Sequence, residues 1–160
     1  MPSLSRAVRG AAVTAAAASA VLSLSACDLL DSVLGSGNVM EIGVGDCFTE
    51  SEMFTSDAGD EVGDVPLVDC SEPHDSEVFH VEELPDGDFP GAESVNASME
   101  EVCTGPAFQE FVGVDFMESE IYASGLMPTV ESWDLLEDRE ILCYVFSEEP
   151  ISESLQGANR

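Results

Sequence analysis

The spacing of hydrophobic positions predicts four short strands, two before and two after a helical region. Residues 67–69 and 77–84 carry the first two, the second with apolar and polar residues in alternation. Residues 121–127 predict a third strand, weakened by a glycine. Residues 140–146 predict a fourth strand, which is apolar on both faces. A strand with two apolar faces is typical of the centre of a sheet.

The alternation within 77–84 also assigns side chains to faces. Phe79 and Val81 are expected on one face, and Val78, His80 and Glu82 on the other.

Two helices are predicted between the strand pairs. Residues 94–103 place apolar side chains at helical spacing with acids between them. Pro106 suits the first turn of a second helix, with Phe108 and Phe111 inward and Gly113 as its stop. The expected fold is therefore α+β: a small, mostly antiparallel sheet with a helix pair on one face.

The first 26 residues have the pattern of a lipoprotein signal peptide. Two arginines precede a 14-residue apolar stretch, which is too short to span a bilayer of about 30 Å. The stretch ends in Leu24-Ser25-Ala26-Cys27, which looks like a bacterial lipobox. We expect cleavage before Cys27 and lipidation of its thiol. The protein would then be anchored on the extracytoplasmic face of the cell membrane.

The mature chain divides into three parts. Residues 27–38 contain four apolar residues and then Gly35-Ser36-Gly37-Asn38, which favours a flexible tether. The apolar half either lies on the membrane surface or is disordered. Residues 39–147 form the predicted domain. Residues 148–160 lack apolar periodicity and predict a disordered tail.

The charge of the chain excludes several functions. It has 33 acids and 4 basic residues, all of them arginine, for a net charge of −29. Without lysine there is no Walker A loop, Schiff base or Ser-Lys dyad. Such acidity also argues against nucleic acid as a partner, because phosphate binding needs basic side chains.

Four cysteines remain once Cys27 is lipidated, and an exported chain with an even number implies disulfides. Of the three possible pairings we favour Cys47–Cys70, which closes the acidic loop region, and Cys103–Cys143, which joins a helix to the central strand. The spacing of these residues does not match a zinc motif, and no cysteine would be left as a nucleophile.

One segment has the spacing of a known motif. Cys70, Pro73, His74, Glu77 and Val78 form the pattern C-x-x-P-H-x-x-E-V. Other matching positions are Gly45-Asp46-Cys47-Phe48, Cys103, Phe108, Val112-Gly113, Pro128, Trp133, Asp138-Arg139 and Cys143.

Together these residues resemble the septum formation domain of actinobacterial envelope proteins, over about residues 40–147. The chain departs from the family pattern at Glu137, where glycine is expected before the Asp-Arg pair. The resemblance implies an exported or membrane-tethered protein without an established activity, linked by the family's name to cell division or envelope assembly.

His74 has two interpretations. It is either a ligand or pH-sensing contact, or a turn histidine that hydrogen-bonds the backbone; we favour the second. A zinc site of His74, Asp75, His80 and Glu82 has spacing that matches no established motif.

Arg139 is the sole basic residue within 39–147, and we expect it to hold a carboxylate. The candidates are Asp138 and the stretch 75–77, and a ligand carboxylate is an alternative. Trp133 is expected to pack over the sheet or its edge; a stacking platform for a glycan or peptide is the alternative.

The acids favour a solvated surface with divalent cations as non-specific counterions. Asp57, Asp60, Glu61 and Asp64 lack the EF-hand pattern for calcium. We therefore expect a binding or scaffolding module for an envelope protein or cell-wall component, with no enzymatic activity, catalytic residues, cofactor or metal. The alternatives are a metal-assisted envelope hydrolase and a cation- or solute-binding lipoprotein.

Overall fold

A computed structural model describes residues 36–53 and 62–160. The predicted signal peptide, Cys27, the tether up to residue 35, and the acids Asp57, Asp60 and Glu61 lie outside the described residues. No helix in the described part combines the length and the apolar character needed to cross a membrane.

Six strands form one sheet in the order β1-β3-β2-β4-β6-β5, and every neighbouring pair is antiparallel. The two long strands lie side by side near its middle, as the apolar run at 140–146 predicts. The strands are β1 (Ser36–Asn38), β2 (Cys47–Phe48), β3 (Asp64–Val68), β4 (His74–Glu83), β5 (Tyr122–Leu126) and β6 (Glu140–Ile151).

Three α-helices accompany the sheet: α1 (Ala92–Cys103), α2 (Pro106–Val112) and α3 (Val130–Leu135). Helix α2 begins with Pro106 and ends at Gly113, which has φ +100°, as the sequence predicts. Single 3₁₀ turns lie at Val39–Glu41, Glu50–Glu52 and Phe116–Glu118. The predicted fold class is confirmed.

Each face of the sheet has its own core. Helices α1 and α2 cover one face, which we call the helix face. The core between them and the sheet buries Phe79, Phe108, Ile141 and other residues. The opposite face, which we call the cleft face, buries Phe48, Val78 and further residues, with Val39 and Val62 packed against them. The apolar character of β6 on both sides follows directly, since it contributes side chains to both cores.

The predicted faces of β4 were wrong in part. Val78 and Val81 both pack in the cleft-face core, whereas Phe79 packs in the helix-face core. The cause is a register shift between Val78 and His80, which pair with Tyr144 and Cys143 and so leave Phe79 as an extra residue. Such a β-bulge breaks the two-residue alternation that the sequence pattern assumes.

Both predicted disulfides are present. Cys47 and Cys70 join β2 to the turn before β4, and Cys103 and Cys143 join α1 to β6. Gly125 of β5 lets α1 approach here, because a Cβ at that position would lie 2.8 Å from Met99 Cγ and 3.1 Å from Cys103 Sγ.

The predicted tail and the end of the predicted tether were wrong. Strand β6 continues to Ile151, and Leu155 is buried in the helix-face core. Residues 36–38, assigned to the tether, pair with β3 as β1. In both places backbone hydrogen bonds hold a segment whose side-chain composition alone favours disorder.

Candidate functional site

A cleft of about 910 Å³ opens on the cleft face. Its floor comes from the last two strands of the sheet order, through Ser124 and Leu126 of β5 and Leu142 and Tyr144 of β6. These residues pair across the two strands, Ser124 with Tyr144 and Leu126 with Leu142, so their side chains point to the same face.

The walls of the cleft are apolar and open to solvent. Helix α3 and the residue after it form one wall, and the segment at residues 38–40 forms another. Most of the large hydrophobic side chains that the described part of the chain exposes lie here. They are Met40, Met127, Val130, Leu135 and Leu136, with exposed fractions of 39–71%. Clustered exposed apolar residues are typical of a binding surface, whereas scattered ones are ordinary.

Helix α3 begins with a capping box that fixes its first turn. The Thr129 hydroxyl accepts from Ser132 N at 3.1 Å, and the Ser132 hydroxyl accepts from Thr129 N at 3.0 Å. This short helix was not predicted from the sequence.

Arg139 and Trp133 hold α3 against the loop that precedes α1. Arg139 Cζ lies 3.8 Å from the centroid of the Trp133 ring, and Arg139 Nη1 donates to the carbonyl oxygens of Trp133 and Asp138 at 2.9 Å each. Trp133 Nε1 donates to Gly87 O at 2.9 Å. The wall that α3 forms is therefore fixed by a buried cation-π and hydrogen-bond cluster.

The predicted partner of Arg139 was wrong. Its Nε lies 3.7 Å from a carboxylate oxygen of Asp86, a residue in the loop after β4. The Asp138 carboxylate instead accepts from the Ser132 hydroxyl and from Glu140 N. Trp133 is only 2% exposed and packs edge-on against Phe89, so it is a packing residue in this structure.

Glu137 lies at the end of the α3 wall, where the family pattern expects glycine. Its φ is +56°, in the left-handed region that favours glycine. The turn therefore keeps the backbone shape that glycine would adopt, with a glutamate in a strained conformation.

Polar contacts meet at Tyr144 on the floor of the cleft. Tyr144 OH donates to Glu50 Oε1 at 3.1 Å, and Glu50 N in turn donates to Asp75 Oδ1 at 2.8 Å. Burial raises the pKa of Tyr144 to about 12; the negative charge of Glu50 adds to the increase, and a hydrogen bond with Ser124 opposes it. Tyr144 is therefore a protonated hydrogen-bond donor at physiological pH.

The charge of the cleft has one sign. Four carboxylates line it, and no arginine or histidine of the described residues does. They are Glu50, Glu131, Asp138 and Glu140.

The C-x-x-P-H-x-x-E-V segment lies at the beginning of β4 and its contacts are structural. His74 is 1% exposed, and its Nδ1 lies 2.8 Å from the Glu72 carbonyl oxygen, as expected for a turn histidine. Just before it, the Ser71 hydroxyl and N–H both bond Asp69 Oδ1 and lower the pKa of that carboxyl. These contacts shape the turn that carries the Cys70 disulfide.

Glu77 of the same segment connects β4 to the end of the described chain. It is 4% exposed, and it accepts from the Ser154 hydroxyl and from Leu155 N, each at 2.7 Å. Gly157 N and Asn159 N donate to the last turn of α2, at Phe111 O and Val112 O. This network holds residues 154–159, which we call the C-terminal segment, on the helix face.

The four residues considered as a zinc site, His74, Asp75, His80 and Glu82, do not form one cluster in the structure. His80 Nε2 lies 3.4 Å from Glu82 Oε2, as expected for side chains on one face, but His74 bonds the backbone at the other end of β4. Among the described residues a close group of possible ligands is Cys47, Cys70 and Glu77, and its two sulfurs are bonded to each other.

These features define a class of protein: a small, disulfide-bridged antiparallel domain with one face covered by helices and an apolar, acid-lined cleft on the other. The chain belongs to the Septum formation family, whose model matches residues 31–156. No curated protein and no solved structure matched the chain.

Sequence reasoning missed the cleft. The sequence offered one local signal, the adjacent pair Leu135-Leu136 close to the Asp-Arg pair, and the structure exposes both side chains at the cleft wall.

Proposed function

We propose that the protein is a non-enzymatic binding module of the cell envelope, which is lipid-anchored through Cys27 and presents its cleft to an envelope partner. The observation that carries the proposal is the cleft itself. Its volume is in the range of ligand and peptide sites, and its walls expose clustered apolar side chains.

The surroundings of the reactive side chains also support a binding role. Four cysteines are joined in two disulfides, His74 bonds a backbone carbonyl, and Arg139 is stacked on Trp133. Tyr144 keeps its proton at neutral pH, so it is suited to donating a hydrogen bond and not to accepting a proton. Membership of the Septum formation family supports an envelope location and a part in division.

The cleft is tested by complementation of a strain that lacks the gene. Leu135→Glu places a charge on the cleft wall, and Met117→Glu is the matched control because Met117 is 86% exposed and does not line the cleft. We expect the wild type and the control to restore septum number and position, counted by membrane-dye microscopy, and Leu135→Glu to fail.

Thermal melting of both variants is measured alongside, since both substitutions are on exposed side chains and should leave the fold intact. Restoration by Leu135→Glu would overturn the role of the cleft, and normal division of the deletion strain would overturn the septum role.

The anchor is tested by mass spectrometry of protein extracted from its own membrane. The expected N-terminal peptide begins at a diacylglyceryl-modified Cys27, and a Cys27→Ala variant should leave the membrane fraction. An unmodified peptide that contains residues 1–26 would contradict the anchor.

A further inference from the structure

The open edge of β5 beside the cleft points to a specific mode of binding. We propose that the partner is a protein segment that adds to β5 as a seventh, extended strand; this proposal rests on the proposed function. The segment has apolar side chains at alternate positions and lysine or arginine at its ends.

The first support is that β5 is an unprotected edge. It is the last strand of the sheet, and it pairs with β6 on one side. On its other side, no backbone hydrogen bond joins Tyr122–Leu126 to another residue within 36–53 or 62–160. Edge strands are commonly protected by lysine, proline or inward charges, and the sequence YASGL has none of these.

The opposite edge of the sheet provides a comparison. There β1 has only three residues, which is one of the ways in which proteins limit edge pairing. The five residues of β5 offer an edge of roughly 17 Å, enough for a short strand to pair along its length.

The second support is that the cleft continues past this edge. Its lining includes Ser124 and Leu126, which point to the cleft face, and also Gly125 between them. It further includes Phe89, in the loop before α1, and Ala92, the first residue of that helix. A strand added to β5 would therefore lie within the lining, and its side chains on the cleft face would contact the apolar floor.

The exposed aromatic surface of β5 extends the same strip. Tyr122 is 45% exposed and stacks on Phe146 with ring centroids 5.2 Å apart. Tyr122 pairs with Phe146 two positions from the Ser124–Tyr144 pair, so both pairs lie on the cleft face. Alternate side chains of an added strand thus meet apolar surface from Tyr122 to Leu126.

The third support is charge, which distinguishes between possible occupants. Four carboxylates line the cleft, and residues 27–160 carry 33 acids and two arginines, a charge of 2 − 33 = −31. A second copy of this chain would bring the same charge, and an anionic lipid headgroup would also be repelled. A segment with basic ends is attracted over a Debye length of about 8 Å at physiological salt.

The test uses the full-length protein in nanodiscs of zwitterionic lipid, with empty nanodiscs as the blank. The probes are fluorescein-labelled peptides KKVTVTVKK and EEVTVTVEE, and binding is measured by fluorescence anisotropy. We expect the basic peptide to bind at least tenfold more tightly than the acidic one. The difference in affinity should shrink in 0.5 M salt, because the Debye length there is shorter than the roughly 8 Å at physiological salt and the charges are screened.

Strand addition is tested separately with N-methylated forms of the basic peptide. In an extended strand, the valine N–H groups point to one edge and the threonine N–H groups to the other. Methylating two valine nitrogens and methylating two threonine nitrogens should therefore differ at least tenfold in affinity, because only one set faces β5.

Three results would overturn the proposal. The first is absence of binding by the basic peptide, and the second is a preference for it over the acidic peptide of less than tenfold. The third is a difference of less than tenfold between the two methylated forms, as expected for a helix or an irregular chain in the cleft. Failure of Leu135→Glu to complement would then leave the cleft as a binding site with another occupant, whereas its success would remove the proposed function itself.

Discussion

The carboxylate of Glu77 provides the most direct test of how the fold is held together. Replacing Glu77 by leucine keeps most of the volume but removes both acceptors, so that Leu155 N, which is buried, loses its partner. Glu77→Gln is the matched control. Its amide oxygen can accept from Leu155 N while its NH₂ group donates to the Ser154 hydroxyl, so both contacts survive without the charge.

The magnitude follows from the two hydrogen bonds. A hydrogen bond to a charged group contributes about 1.5–3 kcal/mol, and a buried donor left unpaired costs about 1–3 kcal/mol. We therefore expect Glu77→Leu to lower the free energy of unfolding by about 4 kcal/mol and Glu77→Gln by about 1 kcal/mol. For a domain of this size, the leucine variant should melt on the order of 10 °C lower than the wild type.

Two measurements on the full-length protein check this. Urea unfolding gives the free energies of the wild type and both variants. Hydrogen exchange then shows where the loss occurs: the amides of Leu155, Gly157 and Asn159 should lose protection in the leucine variant before those of β6 do. Free energies of the two variants that agree within about 1 kcal/mol, or unchanged protection of these three amides, would refute the reasoning.

Two further predictions concern the cleft and its wall. Since folding raises the pKa of Tyr144 from 10.0 to about 12, the folded state binds the proton more tightly than the unfolded chain. The contribution of Tyr144 to the free energy of unfolding should therefore be fully present below about pH 10. It should be lost, by up to about 3 kcal/mol, as the pH approaches 12. In a Tyr122→Phe variant, the one remaining tyrosine should titrate near 12 in a stopped-flow pH jump, and a midpoint near 10 in the folded protein would contradict this. Relief of the left-handed backbone at Glu137 predicts that Glu137→Gly raises the free energy of unfolding by up to about 1 kcal/mol. Glu137→Ala, which removes the charge but keeps the Cβ, should give no gain in urea unfolding, and equal gains would attribute the effect to charge.

The parts of the fold that the sequence predicted are those with a local signal. The run at 141–146 is apolar at every position, so its burial on both faces needs no knowledge of its neighbours. The disulfides followed from an even number of cysteines and from the elements that carry them. The end of α2 followed from Gly113, whose backbone conformation is one that other residues rarely adopt.

The parts that were missed depend on distant partners. Nothing near Leu155 indicates that a glutamate 78 positions earlier accepts its N–H. The bulge at Phe79 is set by pairing with β6, and its signal is absent from the local alternation of β4.

The cleft could not be predicted for the same reason. Its floor, its walls and its acids come from segments as far apart as Val39 and Tyr144, and the apolar residues involved look like ordinary core positions in the sequence. Only the sheet order shows that β5 lies at an edge, since strand order is not encoded in any one strand.

The C-terminal segment sets the limits of any shortened version of the protein used in the laboratory. A fragment that stops at Ser147, where the apolar pattern fades, would lose part of β6 and the leucine that fills the space beside α2. It would leave Glu77 without either donor and expose an apolar patch, so it should be recovered as aggregates. Expression fragments should therefore retain Asn159, which bonds Val112 O, and carry any purification tag beyond it.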